Sequence, residues 1–248
     1  MKKNRFLPFD VLFEDGDIIV IDKPAGLLTT HTRLKGRAAR EAQWTAENIL
    51  NDYVRKGQAK SRKRVWLVHR LDRETSGVMM FAKSEAFANR LRDRWNELTE
   101  KKYLALVEGE IAGDEGCFRS YLRDDPRTMK VSSVSDPSAG KLAITMWRKI
   151  SSGGGRTLVE ANLKSGRKNQ IRVHFSEAGH PVVGDVKYGA VKAERMYLHS
   201  LELKLKLPEY AKPFRAETDV PWVAGDPAVN ASRRGSGPRR EGSPAPCA

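Results

Sequence analysis

Only two cysteines, Cys117 and Cys247, occur in 248 residues, too few for a zinc knuckle or for a disulfide framework. The five histidines show no metal-ligand spacing, so no metal is expected. Long apolar runs are missing as well. Runs such as Ile18–Ile21 and Val78–Ala82 fall far short of the roughly 20 residues that a membrane span needs. The amino terminus starts basic, but Asp10 and Glu14 interrupt it before any secretory apolar region forms, which points to the cytoplasm. GGGR lacks the GK[ST] of a phosphate loop, no GxGxxG follows a strand, and no GxSxG elbow occurs. No nucleotide or nicotinamide cofactor is implied.

Negative charge is also scarce. Against 45 Lys and Arg there are 31 Asp and Glu, a net charge of +14, which makes a polyanion the first partner to consider. Residues 33–64 hold ten basic side chains (Arg33, Lys35, Arg37, Arg40, Arg55, Lys56, Lys60, Arg62, Lys63 and Arg64) and three acids (Glu41, Glu47 and Asp52), half of the whole excess. A solvated surface stretch is the other reading of such a run. Beyond about Ala224 the chain is rich in Pro, Gly, Ser and Arg with little to bury, and it reads as a disordered basic tail.

The remainder is 40% hydrophobic and reads as an α+β fold on a largely antiparallel sheet. Strands are expected over Asp17–Asp22, Val65–Val68, Gly77–Lys83, Lys101–Gly109, Lys141–Ile150, Thr157–Leu163, Leu198–Leu205 and Phe214–Val220. Ser151–Arg156 is expected to join two of them as a hairpin. Helical spacing appears over Thr45–Val54. A second helix, capped by Ser84, carries Phe87, Leu91, Trp95 and Leu98 as one stripe. A short helix over Asn169–Ala178 ends at Gly179, with Asn169 able to cap it.

Three polar segments sit where strands end. In HRLDRETSG (69–77), Asp72 lies between Arg70 and Arg73, a setting that keeps a carboxylate ionised for use as nucleophile, base or ion-pair partner. Taken alone, it is equally a salt bridge in a turn. Tyr103 alternates with Ala105 and Val107 along one strand face, and alone it reads as core. Arg167, Lys168 and Arg172 cluster around the start of the short helix, an ordinary place for phosphate contact.

Together, IIVIDKPAGL, HRLDRETSG, KKYLALVEG and GRKNQIRVHFSEAGHPVVGDVKYG resemble, in wording and order, the RluA-type family of pseudouridine synthases, from Ile18 to about Pro221. His69 at the head of the central motif favours that family over its RsuA-type sister, which begins the motif with Gly. The resemblance implies a pseudouridine synthase fold with a central RNA-binding cleft, and an isomerase that detaches uracil from its ribose, rotates it and rejoins it through carbon 5. No cofactor enters. Asp72 falls on the family's obligatory aspartate, Arg172 on the basic residue that pairs with it, and Tyr103 on the active-site tyrosine. Arg70 falls on an arginine that fills the space of the flipped nucleotide.

Flipping a stacked uridine costs a few kcal/mol, recovered by stacking and phosphate contacts. Further RNA contacts are therefore expected from Arg73, Arg167, Lys168, Lys60, Arg62, Lys63 and Arg64. Asn169 departs from the histidine that relatives commonly carry in GRxHQIR. The catalytic pattern begins by residue 18, so one catalytic domain over residues 1–223, with no separate RNA-binding domain before it, is expected to work as a monomer on ribosomal or transfer RNA. The alternative is a non-catalytic RNA-binding or RNA-folding protein on the same scaffold. A glycosidase is disfavoured, since it needs two opposed carboxylates and only Asp72 has a motif around it.

Overall fold

Apolar β-branched runs set the first layer of the structure, a computed structural model that describes residues 7–31, 44–58, 60–208 and 212–222. The chain divides into two compact units. The first takes the described residues up to Thr99 together with Glu202–Thr218, and the second takes Glu100–Leu201 with the described residues from Asp219. The basic residues 32–43 and the tail from 223 onward lie outside the described residues.

In the first unit β1 (Val11–Glu14) pairs antiparallel with β2 (Ile18–Lys23), and β2 with β4 (Ser76–Ala82), along whose other end runs the short β3 (Trp66–Leu67). Every residue of β4 is buried, as the continuous run SGVMMFA requires of a strand covered on both faces. Ile18, Val20, Val78 and Met80 pack with Ala88, Leu91, Trp95 and Leu98 to form the core.

Thr45 caps α1 (Ala46–Arg55) by accepting from the Asn48 N–H at 3.2 Å, and Ser84 caps α2 (Glu85–Asp93) by accepting from the Phe87 N–H. The single helix expected after Ser84 is in fact two. Arg94 leaves helical geometry (φ −124°, ψ 20°), its guanidinium pairs with Glu97, and α3 (Trp95–Leu98) starts afresh. The apolar stripe is unchanged by the break, which is why periodicity did not reveal it.

In the second unit β5 (Thr99–Glu108, from Glu100 on), β9 (Arg156–Leu163), β8 (Lys141–Gly153), β6 (Glu115–Asp125) and β7 (Lys130–Val134) lie side by side in that order, all antiparallel. β8 and β9 run further than expected. Only Gly154 and Gly155 remain as loop, with φ of 63° and 70°, the double positive φ of a two-residue type I′ turn. The β6–β7 hairpin escaped the sequence reading because most of its residues are exposed or half-buried, so no apolar alternation marks it. β11 (Phe214–Glu217) pairs with the Glu202–Leu205 end of β10 (Leu198–Leu205) and stops short of the expected Val220.

One helix packs on the second sheet. α4 (Gln170–Glu177) lies on the face shared by Trp147, Thr145, Phe118 and Ser120, residues that are cross-strand partners or two apart on a strand. His174 bonds Thr145 Oγ1 and Ser120 Oγ, each at 2.9 Å, and the Phe175 ring meets Phe118 edge-on at 5.1 Å. Burial pushes His174 and His199 down from 6.5 to about 4, so both rings stay neutral in the fold.

The unfolded chain takes up these two protons near pH 6.5, whereas the native chain does so only near pH 4. Stability should therefore fall as the pH drops through that window, by at most ~1.4 kcal/mol per pH unit for each ring. Urea unfolding at several pH values between 7 and 4 measures the decline. His174→Gln should make it shallower.

Candidate active site

The loop between β3 and β4 buries Leu71, half-buries Asp72 and exposes Arg70, Arg73 and Glu74. Its backbone is fastened from the segment after β2. Thr29 Oγ1 donates to the Leu71 carbonyl at 2.8 Å and accepts from its N–H at 3.3 Å, acting on Leu71 as a paired strand would. The Gly26 N–H donates to the Arg73 carbonyl at 2.8 Å, and Arg73 Nε returns a bond to the Gly26 carbonyl at 3.0 Å. Lys23 is fully buried, and its ammonium donates to the carbonyls of Pro24 and Leu27 at 2.8 Å and of Arg73 at 3.1 Å. The residues on either side of Asp72 are therefore anchored, and the Thr75 N–H closes the turn on the Asp72 carbonyl at 3.2 Å.

His69 has a structural task at the head of this loop. Its Nε2 accepts from the Met80 N–H at 3.0 Å, which assigns the ring proton to Nδ1 when the ring is neutral. Its ring stacks on Trp95, centroids 4.7 Å apart. Arg73 gives Nε to Gly26 and lies 3.7 Å from Glu74, with about half of its side chain exposed.

In the second unit Tyr103 is opposite Ala161, and Ala161 is opposite Trp147. Directly opposed residues share a face, so the nearly buried Tyr103 is on the side of the sheet that carries α4. Lys101, two residues earlier on the same face, is also buried, and desolvation lowers its ammonium from 10.5 to about 8.

The start of α4 shows why QIR reads as it does. Gln170 is buried with both ends of its amide engaged: Oε1 accepts from Ser165 Oγ and the Arg167 N–H, and Nε2 donates to the Ile144 carbonyl and Thr145 Oγ1. Ile171 enters the core. Arg172, 8% exposed, donates Nε and Nη2 to the two oxygens of Asp185 at 2.6 and 2.8 Å, a bidentate pair. Its Nη1 donates to Asn169 Oδ1 at 3.1 Å, and its guanidinium lies 5.0 Å from the centre of the Tyr188 ring.

Asn169 does not cap the helix as expected. It takes the left-handed φ of 54° that asparagine tolerates, and its side chain bridges Arg172 and the Tyr188 hydroxyl, to which Nδ2 donates at 2.9 Å. Asp185 was missed by the sequence reading. The signal was there in GDVKYG, a carboxylate straight after an apolar run. Gly184 before it has φ +80°, and a Cβ there would collide with the Arg195 carbonyl, so the residue that places Asp185 has to be glycine.

Of the expected RNA contacts, Lys60, Arg62, Lys63 and Arg64 are all exposed in the segment that follows α1, with the Arg64 guanidinium 5.3 Å from the Trp66 ring centre. Arg167 donates Nε to the Leu142 carbonyl at 2.9 Å, and Lys168 reaches both oxygens of Asp124 at 2.7 and 2.8 Å. Arg33, Lys35, Arg37 and Arg40 lie outside the described residues. Among the described residues no group of three His, Cys, Asp or Glu could hold a metal ion, and no helix is long and apolar enough to cross a membrane.

Comparison with known proteins identifies the family. Residues 17–177 match the family model of RNA pseudouridylate synthases. An uncharacterised RNA pseudouridine synthase of Zymomonas mobilis is 34% identical over 228 residues, covering 87% of this chain and 95% of the relative. The dual-specificity RNA pseudouridine synthase RluA of Yersinia pestis is 34% identical over 218 residues, covering 84% and 98%. The ribosomal large subunit pseudouridine synthase C of Rickettsia bellii is 32% identical over 218 residues, covering 85% and 68%. The human RNA pseudouridylate synthase domain containing 4 shares the fold at a TM-score of 0.68 and 23% identity, over 86% of this chain and 88% of that one. The chain thus belongs to the RluA-type RNA pseudouridine synthases, enzymes that isomerise uridine in RNA to pseudouridine.

Proposed function

We propose that this enzyme modifies ribosomal or transfer RNA with Asp72 as its nucleophile. The supporting observation is the loop that carries Asp72, fastened at Leu71 by Thr29 and at Arg73 by Lys23 and Gly26. A carboxylate on an anchored backbone loses little freedom when it attacks, which is how a positioned group lowers a barrier. The N1–C1′ bond of the uridine breaks, a C5–C1′ bond forms, one proton leaves C5 and one is taken up at N1. Electrons balance without an oxidant or reductant.

In this reading the ring of Tyr103 stacks on the target base and its hydroxyl assists the proton movement. Arg172 serves as the cationic catalytic residue, and Asp185 fixes the plane of its guanidinium. Arg70 takes the place of the extruded base. Residues 1–223 act as one catalytic domain, as a monomer in the cytoplasm and without a metal ion, and the segment beyond serves as a basic tail. The likeness to the ribosomal large subunit pseudouridine synthase C of Rickettsia bellii favours ribosomal RNA as one target. Incubating transcribed ribosomal and transfer RNA with the protein, and mapping pseudouridine by carbodiimide-blocked primer extension, tests the target class. No product on either RNA would reject it.

Three outcomes are expected of variants. Asp72→Asn should lower pseudouridine formation by at least about a thousandfold, while RNA affinity, mainly phosphate electrostatics, stays near wild type. Turnover within about tenfold of wild type would reject the nucleophile assignment.

Arg172→Leu and Asp185→Leu should each destabilise the fold by about 3–5 kcal/mol, since each leaves a buried charge without its partner. The double variant should lose clearly less than the two together, and a double-mutant cycle by urea unfolding reads that coupling. Strict additivity would show that the pair is not energetically linked.

Replacing Lys60, Arg62, Lys63 and Arg64 together by glutamine should weaken RNA binding. The slope of log affinity against log salt should flatten by roughly two to three units, at ~0.7 to 0.9 per phosphate contact. A salt titration of both proteins measures it, and an unchanged slope returns these residues to plain surface.

A further inference from the structure

A concave site of about 460 Å³ opens in the second unit where the β6–β7 hairpin, the segment Ser138–Lys141 and the turn before α4 meet. Its charged lining comprises Arg123, Asp124, Lys141, Arg167 and Lys168, four cations and one acid. The acid is engaged, since Asp124 holds Lys168 through both oxygens. Arg167 is held by the Leu142 carbonyl through Nε, which aims a guanidinium rather than leaving it to sweep solvent. Gly140 has no side chain because a Cβ would meet Val134 Cγ2 at 2.7 Å and Tyr121 at 2.9 Å, so backbone lines the floor at that point. The interior carries a net positive charge with peptide groups within reach, the chemistry that binds a phosphodiester.

We propose that this pocket binds backbone phosphate of the RNA substrate, about eight nucleotides away from the uridine being isomerised. The inference rests on the RNA reading above and adds a subsite to it, with Arg123 and Lys141 as residues that no motif brought forward. The separation follows from the sheet. Tyr103 lies on β5, and β9 and β8 intervene before β6, which carries Arg123. Three strand intervals of about 4.8 Å make roughly 14 Å across the sheet. Arg123 is seven residues along β6 from Gly116, the residue aligned with Tyr103 through Ala161 and Trp147, a further ~23 Å at about 3.3 Å per residue. The two are therefore ~27 Å apart. Along a stacked strand, at ~3.4 Å per nucleotide, that is about eight nucleotides. The pocket would therefore secure the flank of the substrate while the target base leaves the stack.

The test is a linkage scan on an RNA that the enzyme modifies, in which one phosphate at a time is replaced by a neutral methylphosphonate. With the wild-type chain, one or two linkages about seven to nine nucleotides from the target uridine should cost about three- to tenfold in affinity. Arg123→Gln/Lys141→Gln should weaken binding of the unmodified RNA by a similar factor and flatten the salt slope by about one to two units. With that variant, the penalty at the same linkages should vanish. Urea unfolding checks that the variant is folded, which the exposure of both side chains leads one to expect.

Wild-type affinity and slope in the variant would overturn the proposal. So would a weaker variant that keeps the full linkage penalty, since the loss would then be a general charge effect. The linkage pattern together with an Asp72→Asn variant that keeps turnover within about tenfold of wild type would reject the nucleophile assigned above and leave the pocket standing.

Discussion

A buried ammonium organises the part of the molecule that carries Asp72. Lys23 has no solvent exposure, and removing such a charge from water costs several kcal/mol unless it is well compensated. Three backbone carbonyls supply part of that compensation, and they come from two separate stretches: Pro24 and Leu27 from the turn after β2, and Arg73 from the loop after β3. Satisfying one cation therefore forces the two stretches together. Gly26 and Thr29 add their bonds to a juxtaposition already made, and Asp72 lies between the two fastened residues. The motif DKPAGL and the motif HRLDRETSG are in this sense one device.

The second unit solves a comparable problem with a different arrangement. Arg172 is placed by helix α4, and the helix by Gln170, whose amide bonds reach the turn before it and β8 beside it. The guanidinium is then fixed in rotation by Asp185 along its Nε–Nη2 edge and by Asn169 at Nη1. Asn169 also ties this group to Tyr188, whose hydroxyl accepts from the Val131 N–H of the β6–β7 hairpin at 3.0 Å. A polar network this connected resists partial change, because the loss of any member leaves a buried group unsatisfied. The asparagine in place of a histidine is absorbed by this bridge.

Electrostatics divides between the fixed and the exposed. Paired cations such as Arg172 shape the interior, while Lys60, Arg62, Lys63 and Arg64 stay in solvent, where they contribute little to stability and much to the attraction of a polyanion. The basic pocket falls between these extremes. Its cations are partly held by Asp124 and Leu142 yet remain open to a ligand, so they can confer register on a bound strand as well as affinity.

The sequence by itself determined what local chemistry encodes. The cap Ser84, the buried run of β4, the Gly179 stop and the excess of positive charge were all legible, because each depends on a few neighbouring residues or on composition. The wording of HRLDRETSG and QIR was enough to single out Asp72 and Arg172. Only the tertiary structure decided which partners they received. Lys23 meets Arg73 across fifty positions, Thr29 meets Leu71 across forty-two, and Arg172 meets Asp185 thirteen residues on. The break at Arg94 and the left-handed Asn169 were likewise invisible, since neither changes the apolar pattern. The reason is physical: periodicity records which side of an element faces the core. The partner of a buried charge is chosen by packing, where distant segments must satisfy one another's polar groups as water leaves.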